Sequence, residues 1–77
     1  SGGVVRSPEL RAEVTSDVAQ YAQSLGLSLR GVTASPLPGP SGNVEYFLWL
    51  VKDGSATAPP PEEVARMVAV AVEEGPQ

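Results

Sequence analysis

The sequence predicts an α/β fold in the order helix, strand, strand, helix, and three observations carry that prediction. A capped apolar stripe runs from Pro8 to Leu25. Both alternating sets of Val44–Val51 are apolar, as in a strand covered on two faces. The connection Ser35–Asn43 between the two strand candidates contains no helix and is too short for a parallel crossover, so the strands should pair antiparallel as a long-looped hairpin.

The first element starts at Ser7-Pro8-Glu9, where Ser can cap free amides, Pro is tolerated in the first turn and an acid suits the positive end of the helix dipole. Leu10, Val14, Val18, Tyr21, Ala22 and Leu25 then fall on one face, and Gly26 closes a helix over about 8–25. That face is expected to pack, leaving Arg11, Glu13, Asp17, Gln20 and Gln23 toward solvent. A strand over about 27–34 follows, with Leu27 and Leu29 on one side, Val32 on the other and Gly31 interrupting it.

The loop Ser35–Asn43 holds three prolines and is expected to be ordered by restricted dihedrals rather than regular hydrogen bonds. In the strand over about 44–51, Val44, Tyr46, Leu48 and Leu50 share one face, and Glu45, Phe47, Trp49 and Val51 the other. Lys52-Asp53-Gly54 reads as a turn and Ser55–Pro60 as a flexible connection. A second helix over about 61–74 carries Glu62 and Glu63 in its first turn and an apolar stripe of Val64, Met67, Val68, Ala71 and Val72. Four elements cannot cover both faces of so apolar a strand, and its outer edge is blunted by neither charge nor proline. The chain therefore reads as one part of a larger sheet.

Composition narrows the chemistry. With no Cys and no His there is no disulfide framework, no zinc site and no hydrolase triad within the chain. Five basic against nine acidic residues, a net charge of −4, predict repulsion from phosphate backbones for this chain taken alone. Nothing approaches the roughly 18 consecutive apolar residues that span a bilayer, and no basic-then-apolar leader opens the sequence, so a cytoplasmic product is expected. Phosphate-loop and dinucleotide fingerprints are absent.

Glu45 is the candidate for chemistry, because an acid at the head of an apolar strand is costly without a partner or a task. It can serve as a general base, as an anchor for a lysine, or simply as a carboxylate at an open strand end. Ser35, Ser41, Gly42 and Asn43 are weaker loop candidates, Ser41-Gly42-Asn43 as a small amide nest for an anion. Tyr46, Phe47 and Trp49 are consecutive or near-consecutive on a strand, cannot form one stacking platform, and read as core.

At Gly2-Gly3-Val4-Val5-Arg6, and most specifically at Ser35-Pro36-Leu37-Pro38-Gly39-Pro40-Ser41-Gly42-Asn43-Val44-Glu45-Tyr46, the chain resembles the C-terminal end of TlyA-type proteins. These are haemolysin-like ribosomal RNA 2′-O-methyltransferases of the FtsJ class. The resemblance implies the last helices and strands of a Rossmann-like domain that uses S-adenosylmethionine, with the cofactor loop upstream of Ser1. It implies that Glu45 is the Glu of a Lys-Asp-Lys-Glu catalytic tetrad whose other members also lie upstream; Lys52 matches no tetrad position. Ser7 stands where the family usually has Asp, and still caps a helix. The implied reaction is proton abstraction from a ribose 2′-hydroxyl by a lysine that Glu45 holds and tunes, followed by in-line attack on the sulfonium methyl. Ribosomal RNA or ribosomal subunits are the implied partners of the parent, and the fragment alone should be inactive. Two other expectations stand beside this one: a small interaction module that self-associates or binds partners through its open strand edge, and a membrane-active haemolysin.

Overall fold

The computed structural model describes residues 7–40 and 42–76. Its elements are α1 (Pro8–Ser24), β1 (Leu27–Ala34), β2 (Tyr46–Lys52) and α2 (Pro61–Glu74), with β1 and β2 antiparallel in a two-stranded sheet. Both helices lie on one face of the hairpin. The core is Ala19 of α1, Leu29 of β1 and Val64, Val68 and Val72 of α2, with Val32, Tyr46, Leu48, Leu50 and Met67 packed around it.

Local chemistry sets the helix ends. Ser7 caps α1 by accepting from the Leu10 amide at 3.3 Å, with Pro8 in the first turn. At the other end the chain leaves the helix through Gly26 at φ +94°, a conformation that glycine adopts without Cβ strain. The Gln23 carbonyl, which accepts from the Gly26 amide at 3.1 Å, also accepts from the Ser55 hydroxyl at 2.6 Å, so the last helical turn is tied to the far end of the hairpin. This makes 53–58 a bonded turn rather than the flexible connection the sequence suggests. Ala56 donates to the Asp53 carbonyl and Ala58 to that of Ser55, both at 3.2 Å.

Three expectations are corrected by the packing. The first concerns α1. Leu10, Val14, Val18, Tyr21 and Leu25 are between 44% and 66% exposed, whereas the face turned inward is lined by Arg11, Ala19 and Ala22. Small residues let α1 approach α2 and β1 closely, so the larger stripe is left pointing away. Arg11 is therefore buried, and Gln23 is used rather than solvated: its Nε2 donates to the Pro59 carbonyl and its Oε1 accepts from the Leu29 amide.

The second concerns β1. Leu29 opposes Leu50 and Gly31 opposes Trp49, so Arg30 is an extra residue and the strand carries a β-bulge. The bulge turns Val32 onto the core side with Leu29, where strict alternation had separated them. The third concerns β2, which begins at Tyr46. Val44 and Glu45 precede it, and its Phe47–Trp49 face is not covered: the two rings are 60% and 66% exposed.

Candidate functional site

Glu45 sits at the junction between the proline-rich loop and β2, and three backbone hydrogen bonds fix that junction. The Ser35 amide donates to the Glu45 carbonyl at 2.8 Å, continuing the hairpin one step beyond the strands. Further out, the Gly39 amide donates to the Asn43 carbonyl at 2.7 Å and the Gly42 amide to the Gly39 carbonyl at 2.9 Å. Gly42 has φ +77°, the left-handed conformation that closes such turns. The loop is thus a hydrogen-bonded hairpin tip, more regular than restricted dihedrals alone would make it.

The side chains of this tip converge. A Cβ added to Gly39 would lie 2.5 Å from Asn43 Oδ1 and 2.8 Å from Glu45 Oε2, so both polar tips fold back over Gly39. Glu45 itself is exposed and Asn43 half-buried. Ser35 is buried, and its hydroxyl donates to the Leu37 carbonyl and accepts from the Leu37 amide, which makes it a loop-forming residue. Gly42 serves the turn through its backbone, and Ser41 lies outside the described residues.

Directly after Glu45, Tyr46 anchors the junction to α1. Its hydroxyl accepts from Arg11 Nε at 3.2 Å, and Arg11 is only 5% exposed. Sequence reasoning assigned Arg11 to the solvent side. The signal that places it inside is its spacing to Ala19 and Ala22, a small-residue face beside the larger apolar one.

This arrangement presents a carboxylate on a bonded, anchored turn, suited to receiving hydrogen bonds or holding a cation, but among the described residues of the turn no second acid or base stands beside it. No cluster of three metal-ligating side chains occurs among the described residues. No described helix is long and apolar enough to cross a membrane. Two open apolar grooves, one along Pro8, Ala12, Ala69 and Val72 and one along Gly31, Thr33, Phe47 and Trp49, do not include Glu45.

No protein-family model matches the chain. The chain is 67% identical over 49 residues to the 16S/23S rRNA (cytidine-2′-O)-methyltransferase TlyA of Mycobacterium tuberculosis, a match covering 64% of this chain and 18% of that protein. It is 31% identical over 69 residues, 86% of its length, to 25% of YqxC of Bacillus subtilis, a protein whose name carries a provisional rRNA methyltransferase assignment. Among solved structures, a protein of Streptococcus thermophilus provisionally titled a hemolysin superposes with TM-score 0.75 at 31% identity, over 96% of this chain and 27% of that one. A similarly titled protein of Lactococcus lactis gives TM-score 0.67 at 35% identity, over 86% and 33%. The chain thus spans a third or less of the proteins it matches. Over the part of them that it spans, the chain is related in sequence to the TlyA-type ribosomal RNA methyltransferases, and in fold to solved proteins titled hemolysins.

Proposed function

We propose that this chain is the C-terminal segment of a Rossmann-like, S-adenosylmethionine-dependent ribosomal RNA 2′-O-methyltransferase domain, and that Glu45 is its contribution to catalysis. The observation that carries the proposal is the 67% identity to TlyA over 49 residues. The exposed stripe of α1 and the exposed Phe47–Trp49 face support it, because both are apolar surfaces that neighbouring elements of a larger domain would cover. Their occupant in this reading is the remainder of the parent domain, in keeping with the small share of each relative that the chain spans.

The residues in hand do not build a seat for the cofactor. The open grooves are lined chiefly by apolar side chains, and no glycine-rich strand-to-helix turn occurs among the described residues. S-adenosylmethionine therefore sits in the rest of the parent, and this segment makes no contact with it in this reading. What Glu45 does is electrostatic. A carboxylate beside a lysine holds it in place and tunes its basicity, so that the lysine can accept the ribose 2′-hydroxyl proton when substrate is bound. The isolated segment has no such lysine beside Glu45 among its described residues, and is inactive by itself. The parent acts in the cytoplasm, on ribosomal RNA.

The test is Glu45→Gln in the intact enzyme. Methyl transfer to ribosomal RNA should fall by roughly 10²-fold or more, with S-adenosylmethionine affinity essentially retained. Turnover close to that of the unaltered enzyme would defeat the assignment. A second reading, self-association of the isolated segment, is favoured by the same uncovered faces and by the open edge of β2. Native mass measurement showing only monomer would remove it.

A further inference from the structure

We infer that Gly39 is a positioning residue for Glu45, an inference that rests on the catalytic reading of Glu45 above. Its backbone lies outside the left-handed region, so glycine is not required there by φ. What the position requires is the space a side chain would fill. A Cβ at Gly39 would sit 2.5 Å from Asn43 Oδ1 and 2.8 Å from Glu45 Oε2, both closer than a carbon and an oxygen tolerate.

Something must yield, and the surrounding bonds decide what. The turn backbone is tied by Gly39 N–H to Asn43 carbonyl, Gly42 N–H to Gly39 carbonyl and Ser35 N–H to Glu45 carbonyl, at 2.7, 2.9 and 2.8 Å. The three atoms in the way, Asn43 Oδ1 and Cγ and Glu45 Oε2, belong to rotatable side chains. A methyl group therefore leaves the turn in place and pushes the amide and the carboxylate off it. Glycine at 39 holds the carboxylate at the loop tip by letting it fold back over the chain, and fixes where a partner lysine finds it. A shift of about 1 Å in a catalytic group costs up to about 10²-fold in rate, so the effect falls on turnover rather than on folding.

The experiment is a double-mutant cycle in the full-length enzyme, with kcat, KM and thermal melting measured for Gly39→Ala, Glu45→Gln and the pair. The expected result is a kcat for Gly39→Ala lower by roughly 10- to 100-fold, with KM for RNA and S-adenosylmethionine little changed. In the Glu45→Gln background the same substitution should add less than about twofold, because the group it displaces no longer acts. A loss that adds in full in that background, or an unimpaired Gly39→Ala beside an impaired Glu45→Gln, overturns the inference and leaves the reading of Glu45 standing. An unimpaired Glu45→Gln removes both. Should Gly39→Ala melt early, the cycle is repeated in the Asn43→Ala background, which clears the nearer obstruction. There the Gly39→Ala loss must again depend on Glu45.

Discussion

Each helix carries an apolar stripe in sequence, and the two stripes meet opposite fates in the fold. In α2, Val64, Val68, Ala71 and Val72 are at most 6% exposed and form most of the core. In α1, the larger side chains of Leu10, Val14, Val18, Tyr21 and Leu25 stay at least 44% exposed, and alanines do the packing. The difference teaches that periodicity reports that a face is meant to be covered, without saying by what. One stripe is satisfied within these residues and the other is not. The same contrast runs through β2, where Leu48 and Leu50 pack on the core and Phe47 and Trp49 do not.

The comparison breaks most readily at its buried half. Val68 is fully enclosed, so Val68→Asp places an uncompensated carboxylate in the core and should abolish cooperative folding, a cost above about 4 kcal/mol. Far-UV circular dichroism melts of the chain would show it, and a retained transition would mean that α2 does not pack as described. The exposed half makes a sharper, conditional test. Val18→Asp with Leu25→Asp should change the stability of the isolated chain by no more than about 0.5 kcal/mol per site. In the intact parent, where the proposal buries that stripe, the pair should cost about 3 kcal/mol or more. Equal tolerance in both settings would remove the argument that the rest of a domain covers α1.

Much of this fold was legible because its signals are local. Ser7-Pro8 and Gly26 mark the ends of α1, Pro61 with Glu62 and Glu63 opens α2, and the short loop forces the antiparallel pairing seen. What failed depends on contacts between elements. Strict alternation separates Val32 from Leu29, and only the extra residue at Arg30 restores them to one face; Gly31 hinted at an irregularity without giving its effect. Arg11 looked like a surface charge because its acceptor, Tyr46, is 35 positions away. At the site, the sequence pointed to Glu45 but put it inside the strand, and could not show the convergence of Asn43 and Glu45 on Gly39, which is set by how the turn closes.

The Arg11–Tyr46 bond ties α1, the helix whose stripe is uncovered, to the first residue of β2 just after Glu45. Tyr46→Phe leaves the ring in place and removes the bond from Arg11 Nε, a hydrogen bond from a charged group worth about 1.5–3 kcal/mol. Urea denaturation measures it directly. An unchanged midpoint would mean that the bond contributes nothing to holding α1 on the hairpin.

The smallest effect is expected at the opposite end of the hairpin, where Asp53 accepts from Ser28 Oγ at 2.5 Å and from Thr57 Oγ1 at 2.6 Å. The Ser28 hydroxyl first, then that of Thr57 and the turn amides, hold the Asp53 carboxyl below its ordinary value of 3.8. A carboxyl lowered by folding binds its proton less readily in the folded than in the unfolded chain. Its contribution is therefore complete above the ordinary carboxylate range and is lost as pH falls through the lowered value. Urea midpoints measured from neutral pH into that acid range should fall less steeply for Asp53→Asn than for the unaltered chain. Some acid slope should persist, because Glu9 is lowered too, by a backbone amide first and then by the Ser7 hydroxyl. An identical slope in both proteins would show that the Ser28 and Thr57 bonds do not close this end of the hairpin. The contrast between a closed distal turn and an uncovered stripe on α1 would then have to be drawn from packing alone.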